Sequence, residues 1–113
     1  MNDRFKLTPD QRSNLRDQCP EATVFHTAVE PGSDFVFRPV GLAQFDAFLG
    51  AVNGDDANTK VYAHRNLALD CCLFPSRADL AAYAKERPAV VHALGNELAR
   101  RAGLNSEIIS EGL

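Results

Sequence analysis

Two hydrophobic rhythms divide this chain. Between Ala22 and Arg38, short Val-, Thr- and Phe-rich runs (Ala22 to Glu30, then Phe35-Val36-Phe37-Arg38) are parted by Pro31-Gly32-Ser33-Asp34. That pattern predicts two antiparallel strands joined by a turn. Pro39 cannot donate to a central ladder, so the second strand ends there, and the spacing beyond it lengthens to that of helices. Leu42, Phe45, Phe48, Leu49 and Val52 fall on one face of a helix that opens near Gly41 and stops at Asn53-Gly54. From Asn58 to Leu73 apolar residues lie almost all round, Val61, Tyr62, Leu67, Leu69, Cys72 and Leu73 among them. A helix there is expected in the middle of the core.

Capping chemistry sets the boundaries of the rest. Thr8-Pro9-Asp10-Gln11 carries a capping residue, a proline at the first helical position and a glutamine three residues after the cap, so a short helix begins at Pro9 and Pro20 closes it. Phe74-Pro75 is a break, after which Ser76 and Asp79 hold the cap and third helical positions of a helix running to about Glu86. Pro88 restarts the chain. Val90, Val91, Leu94, Leu98 and Ala102 form the buried stripe of this last helix, Glu97 and Arg101 make an exposed pair one turn apart, and Arg100 and Arg101 suit its negative end. Gly103 fits the left-handed residue just past it, with Leu104 folding back on Leu98. The expected fold is α+β: four or five helices with one antiparallel β-hairpin.

At 113 residues the chain has enough surface for one core. Without repeats or a Pro/Gly/Ser-rich linker it reads as a single domain over 1–113, with an N-terminal helical arm (1–21), a core (22–103) and a C-terminal tail (104–113). Twelve basic and fifteen acidic residues give a net charge of -3 with no Lys/Arg run, which argues against a nucleic-acid partner. No apolar stretch approaches the ~20 residues that span a bilayer, and the first six residues lack a signal-peptide core, so no membrane partner and a cytoplasmic location are expected. Three cysteines, Cys19 and the adjacent Cys71 and Cys72, fit reduced thiols, the vicinal pair serving as small buried hydrophobes.

Candidate chemistry is sparse. His26, His64 and His92 lie on three different elements, and His64 and Cys71 stand seven residues apart, about 10 Å of helical rise, too far to share one metal. Asn53-Gly54-Asp55-Asp56-Ala57-Asn58 lacks both the alternation and the closing acid of a calcium loop, and no glycine-rich phosphate loop occurs. Without a nucleophile beside a base, no catalytic, cofactor or metal residue is assigned. The tail carries Leu104, Ile108, Ile109 and Leu113 among polar residues. With Ser106 capping a further helical turn, the isoleucines and Leu113 would form one patch, and the four are the candidate partner-binding residues.

The order of these features, Phe35-Val36-Phe37-Arg38-Pro39, an apolar helix, a core helix ending in Phe74-Pro75, a capped helix with Leu80, then Pro88 and a last helix closing at Ala102-Gly103, resembles the small tail assembly chaperones of long-tailed bacteriophages and prophages over about residues 22 to 104. The resemblance implies a nonenzymatic protein of the bacterial host cytoplasm. It would bind and solubilise the tape measure protein during tail assembly, and it would be able to form a homo-oligomer. Two other classes stand beside this one: a structural or adaptor protein that stays in the tail, and a metal- or thiol-dependent enzyme or regulator using His64, Cys71 and Cys72.

Overall fold

The computed structural model describes residues 4–113, so the first three residues of the predicted arm lie outside the description. The elements run α1 (Pro9–Gln18), β1 (Thr23–Phe25), β2 (Phe35–Phe37), α2 (Leu42–Asn53), α3 (Ala57–Cys71), β3 (Cys72–Phe74), α4 (Arg77–Glu86) and α5 (Pro88–Arg101). This is the α+β, mostly helical architecture expected from the sequence, with a third strand added to the hairpin.

The strands form one antiparallel sheet in the order β1-β2-β3. Thr23 pairs with Phe37, Val24 with Val36 and Phe25 with Phe35. Successive side chains of a strand point to opposite faces, so the phenylalanines share one face and the two valines the other. All three residues of β2 are buried, which requires cover on both sides. On the phenylalanine face Phe35 meets Phe5 and Tyr83, each with ring centroids 5.7 Å away, and Phe37 lies 5.4 Å from Phe25. On the valine face, Val24 and Val36 line a cleft of about 190 Å³ with Leu7 and with Leu15 and Cys19 of the α1 region. This cover is thin, since α1 buries none of its own residues completely.

The predicted caps are in place. Thr8 Oγ1 accepts from the Gln11 amide at 3.1 Å while Gln11 Oε1 accepts from the Thr8 amide at 2.9 Å, a complete capping box. Ser76 Oγ accepts from the Asp79 amide at 3.1 Å. At the far end of α5 the Leu104 amide donates to Ala99 O and the Gly103 amide to Arg100 O, with Gly103 at φ +104°, the Schellman arrangement anticipated for Gly103-Leu104.

Four details depart from the sequence reading. The first strand is three residues long, not nine, because the chain leaves the ladder at His26 and loops through to Asp34. Cys72–Phe74, expected as the end of a helix, is instead the third strand. Helix α3 is not apolar all round. Ala63, Leu67, Ala68 and Cys71 make its buried face, while Val61 and Tyr62 are exposed and the Tyr62 ring carries the Arg65 guanidinium 4.0 Å from its centroid. Leu42 is 78% exposed, since at about 100° per residue it stands roughly 120° around α2 from the buried Phe48.

The core forms where α5 crosses α3. Along α5 the buried residues are Val90, Val91, Leu94, Gly95, Leu98 and Ala99, so Gly95 and Ala99 take the place expected of Ala102, which is exposed as the C-cap. Small residues permit a close approach: a Cβ at Gly95 would overlap the His64 carbonyl oxygen.

Candidate functional site

The last turns of α5 lie beside the sheet, where Leu98 and Arg101 line a small cleft with Thr23, Phe25 and Phe37. Ala89, Val90, Ala93, Leu94 and Glu97 of α5 form one wall of a groove of about 720 Å³, and Val24, Phe25, His26, Thr27, Ala28 and Val29 form the other. That volume lies within the ~300–1,000 Å³ range of binding clefts. Among the described residues β1 is an edge strand, paired with β2 and with no other strand, and its Val24 and Phe25 line the groove. An open strand edge beside an apolar helix face is the geometry that accepts an added peptide segment.

The loop wall is held from behind. His26 Nδ1 lies 3.2 Å from Ser33 O and 3.7 Å from Asp34 Oδ1, the Glu30 amide donates to Thr27 Oγ1 at 3.1 Å, and the Ser33 amide to Glu30 O at 3.0 Å. Buried Asp34 takes the Leu7 amide at 3.0 Å and gives its own amide to Phe5 O at 2.6 Å, which ties the loop to the N-terminal segment. Glu30 is buried near Tyr83, whose phenol is raised first by burial and then by the Glu30 charge. These contacts fix Thr27 to Val29 as a firm wall, with Val29 half exposed at the lip. At the other end Glu97 accepts from Arg101 Nε at 3.0 Å and from Arg100, and the Arg101 guanidinium sits 4.9 Å over the Phe25 ring. The arginine hydrogen bonds hold the Glu97 carboxyl below its ordinary value.

The groove's hydroxyl, Thr27 Oγ1, is engaged with the Glu30 amide, and no base stands in hydrogen-bond contact with it. Among the described residues no group of three or more His, Cys, Asp or Glu is placed to hold a metal ion.

The candidate partner-binding residues of the tail are split. Leu104 is half buried against the core, whereas Ile108, Ile109 and Leu113 are exposed. The further helical turn expected after Ser106 does not form: the Ser106 amide and hydroxyl both turn back to Gly103 O, at 3.0 and 2.5 Å, and no regular structure follows. The groove itself was not legible as a site, because Val24 to Val29 reads as one strand and Val90 and Leu94 read as core. Its only sequence signal is the pair Ala89 and Ala93, which leaves the stripe beside Val90 and Leu94 shallow.

The vicinal thiols are set in the packing. Cys71 is fully buried, and Cys72 Sγ lies 3.0 Å from Pro75 O. Burial raises the Cys71 thiol and pushes Cys72 up to about 12, so the reactive thiolate is scarce at neutral pH. Cys71→Ala is expected to cost about 1 kcal/mol or somewhat more through the cavity it leaves, with partner binding by the folded protein unchanged. Urea melts beside a binding assay check this; unaltered stability with lost binding would contradict it.

His64 meets histidine, not cysteine. Its ring centroid lies 4.5 Å from that of His92 and 5.0 Å from the Phe48 ring. Burial, then the neighbouring His92, lowers the His64 pKa from the ordinary imidazole value of about 6.5. The unfolded chain therefore binds the proton more readily. The stability associated with neutral His64 is complete above pH ~6.5 and is lost as pH falls toward and through the lowered folded value. His64→Gln should flatten the fall in melting temperature between pH 7 and 5; an unchanged slope would remove His64 as its source.

A family model described as Domain of unknown function (DUF6848) matches residues 24–111, which takes in both walls of the groove together with Ile108 and Ile109. No curated protein and no solved structure matches the chain.

Proposed function

We infer that this chain, which belongs to the family described as Domain of unknown function (DUF6848), is a nonenzymatic binding protein whose groove between β1 and α5 holds an apolar segment of another protein. The observation that carries this is the groove itself: an open strand edge, an apolar helix face and a braced loop around one cleft of about 720 Å³. Main-chain hydrogen bonds along β1 would supply affinity that depends little on sequence, while Val90 and Leu94 select for apolar side chains.

The specific role we propose is that of a phage tail assembly chaperone acting in the bacterial host cytoplasm, with the tape measure protein as client. The resemblance in the order of strand, helices and breaks from Ala22 to Leu104 supports it. So does the client's chemistry, because a long apolar protein exposes segments until the tail tube encloses it, and those that are extended can add to β1 and be kept soluble by the groove. No helix among the described residues is long and apolar enough to cross a membrane.

The test is co-expression of this chain with a tape measure protein, with mass spectrometry of assembled particles. The chaperone role requires a rise in soluble client that Ala93→Asp abolishes, and finished particles without this chain. Particles that retain it would make it a structural tail component, and an unchanged client would end the chaperone reading.

A further inference from the structure

The imidazoles of His64 and His92 come together where α3 crosses α5, and we propose that the pair binds one divalent transition-metal ion of the zinc, nickel and copper kind. Neither residue lines the groove, so the proposal stands whatever the groove holds.

The two side chains come from different helices, and their spacing is set by the backbone. The His64 carbonyl oxygen lies where a Cβ on residue 95 would fall, so α3 and α5 are in close contact one turn along from His92. Ligands carried on helices held in this way are preorganised, which spares the entropy of gathering them. The ring centroids are 4.5 Å apart and the ring planes are inclined at 44°. Two imidazoles that bind one ion through nitrogens ~2.0–2.1 Å away keep their ring centres roughly 4.5 to 5 Å apart when the bonds meet at about 90–110°. The pair already stands at that separation. His92 is exposed, so its ring can turn about the outer torsion to present a nitrogen without disturbing the core.

The ring nitrogens are uncommitted. Among the described residues neither imidazole has a hydrogen-bond partner: the two rings meet each other, and that of His64 meets the Phe48 ring 5.0 Å away. His26, by contrast, has its Nδ1 3.2 Å from Ser33 O. A metal binds the neutral imidazole, and burial together with His92 lowers the His64 pKa, so the ligating form prevails at neutral pH. Imidazole suits zinc, nickel and copper, whereas magnesium and calcium take oxygen ligands. With two protein ligands, water completes the shell. Neither ring donates to a carboxylate or carbonyl that would fix its tautomer, so the affinity is micromolar and not that of a closed structural site. The bound ion ties α3 to α5 and stabilises the fold in step with its occupancy.

Titration calorimetry of the full, untagged chain with zinc chloride at neutral pH should give one ion per chain with a micromolar dissociation constant, and magnesium chloride should give no binding. With copper(II), electron paramagnetic resonance should show coupling to two imidazole nitrogens. Zinc at about a hundredfold excess over its dissociation constant should raise the melting temperature by several degrees. His92→Gln changes an exposed side chain, so the chain stays folded; it should weaken zinc at least tenfold and abolish the melting shift, as should His64→Gln. His26→Gln and Cys72→Ala should leave zinc affinity unchanged. A parent chain that binds no zinc, copper coupled to a single nitrogen, or zinc binding that survives His92→Gln would overturn the proposal. So would binding lost from folded Cys72→Ala protein, which would move the ion to the thiols.

Discussion

Phe35→Ala is expected to remove about 3–5 kcal/mol of stability, the range for deleting a buried aromatic ring. Phe35 is wholly buried at the start of β2, in the central strand of the sheet, where its ring meets those of Phe5 and Tyr83, so its loss unpicks the contact between the sheet, the N-terminal segment and α4 together. Domains of this kind hold only ~5–15 kcal/mol in total, so the variant should be partly unfolded at moderate temperature. Urea melts monitored by circular dichroism measure it. A cost below about 1 kcal/mol would mean that the sheet does not depend on this ring.

Gly95→Ala is the second large effect, and its sign runs against helix propensity. On an exposed helix the change would stabilise by up to about 1 kcal/mol, because alanine is the better helix former. Here the added methyl would overlap the His64 carbonyl oxygen, a backbone atom that moves only if α3 and α5 separate. Overpacking of this kind costs about 1–3 kcal/mol, and since the helices part along their whole contact the upper end is expected. The Phe48–His64–His92 stack should loosen with it, visible as a change in imidazole chemical shifts. A melting temperature equal to or above the parent's would show that the crossing has slack.

Much of the scaffold was legible because its signals are local. Thr8 with Gln11, Ser76 with Asp79, and Gly103 with Leu104 each satisfy their backbone groups within a few residues, so their roles can be read without knowing the fold. The third strand could not be read this way. Cys72–Phe74 follows α3 without a break, and it becomes a strand only because the distant Val36 and Phe37 offer it a ladder. The same holds for the exposed face of α3, where Val61 and Tyr62 look like core until the alanines are seen to make the contact. The groove is the extreme case. Its walls lie some sixty-five residues apart in sequence, and among the described residues no further strand pairs with β1, which no single segment records. Of the four tail residues singled out, the chain itself covers only Leu104; Ile108, Ile109 and Leu113 are exposed.

The central claim is that a partner's apolar segment binds between β1 and α5, and hydrogen exchange of the chain with and without its client tests it most directly. The account predicts slowed exchange at residues 23–29, where β1 gains a neighbour, and at the amides of residues 89–97, with α1 and the outer face of α2 unchanged. Protection confined to the exposed residues of α1, or to Val61 and Tyr62 of α3, with residues 23–29 unaffected, would contradict it.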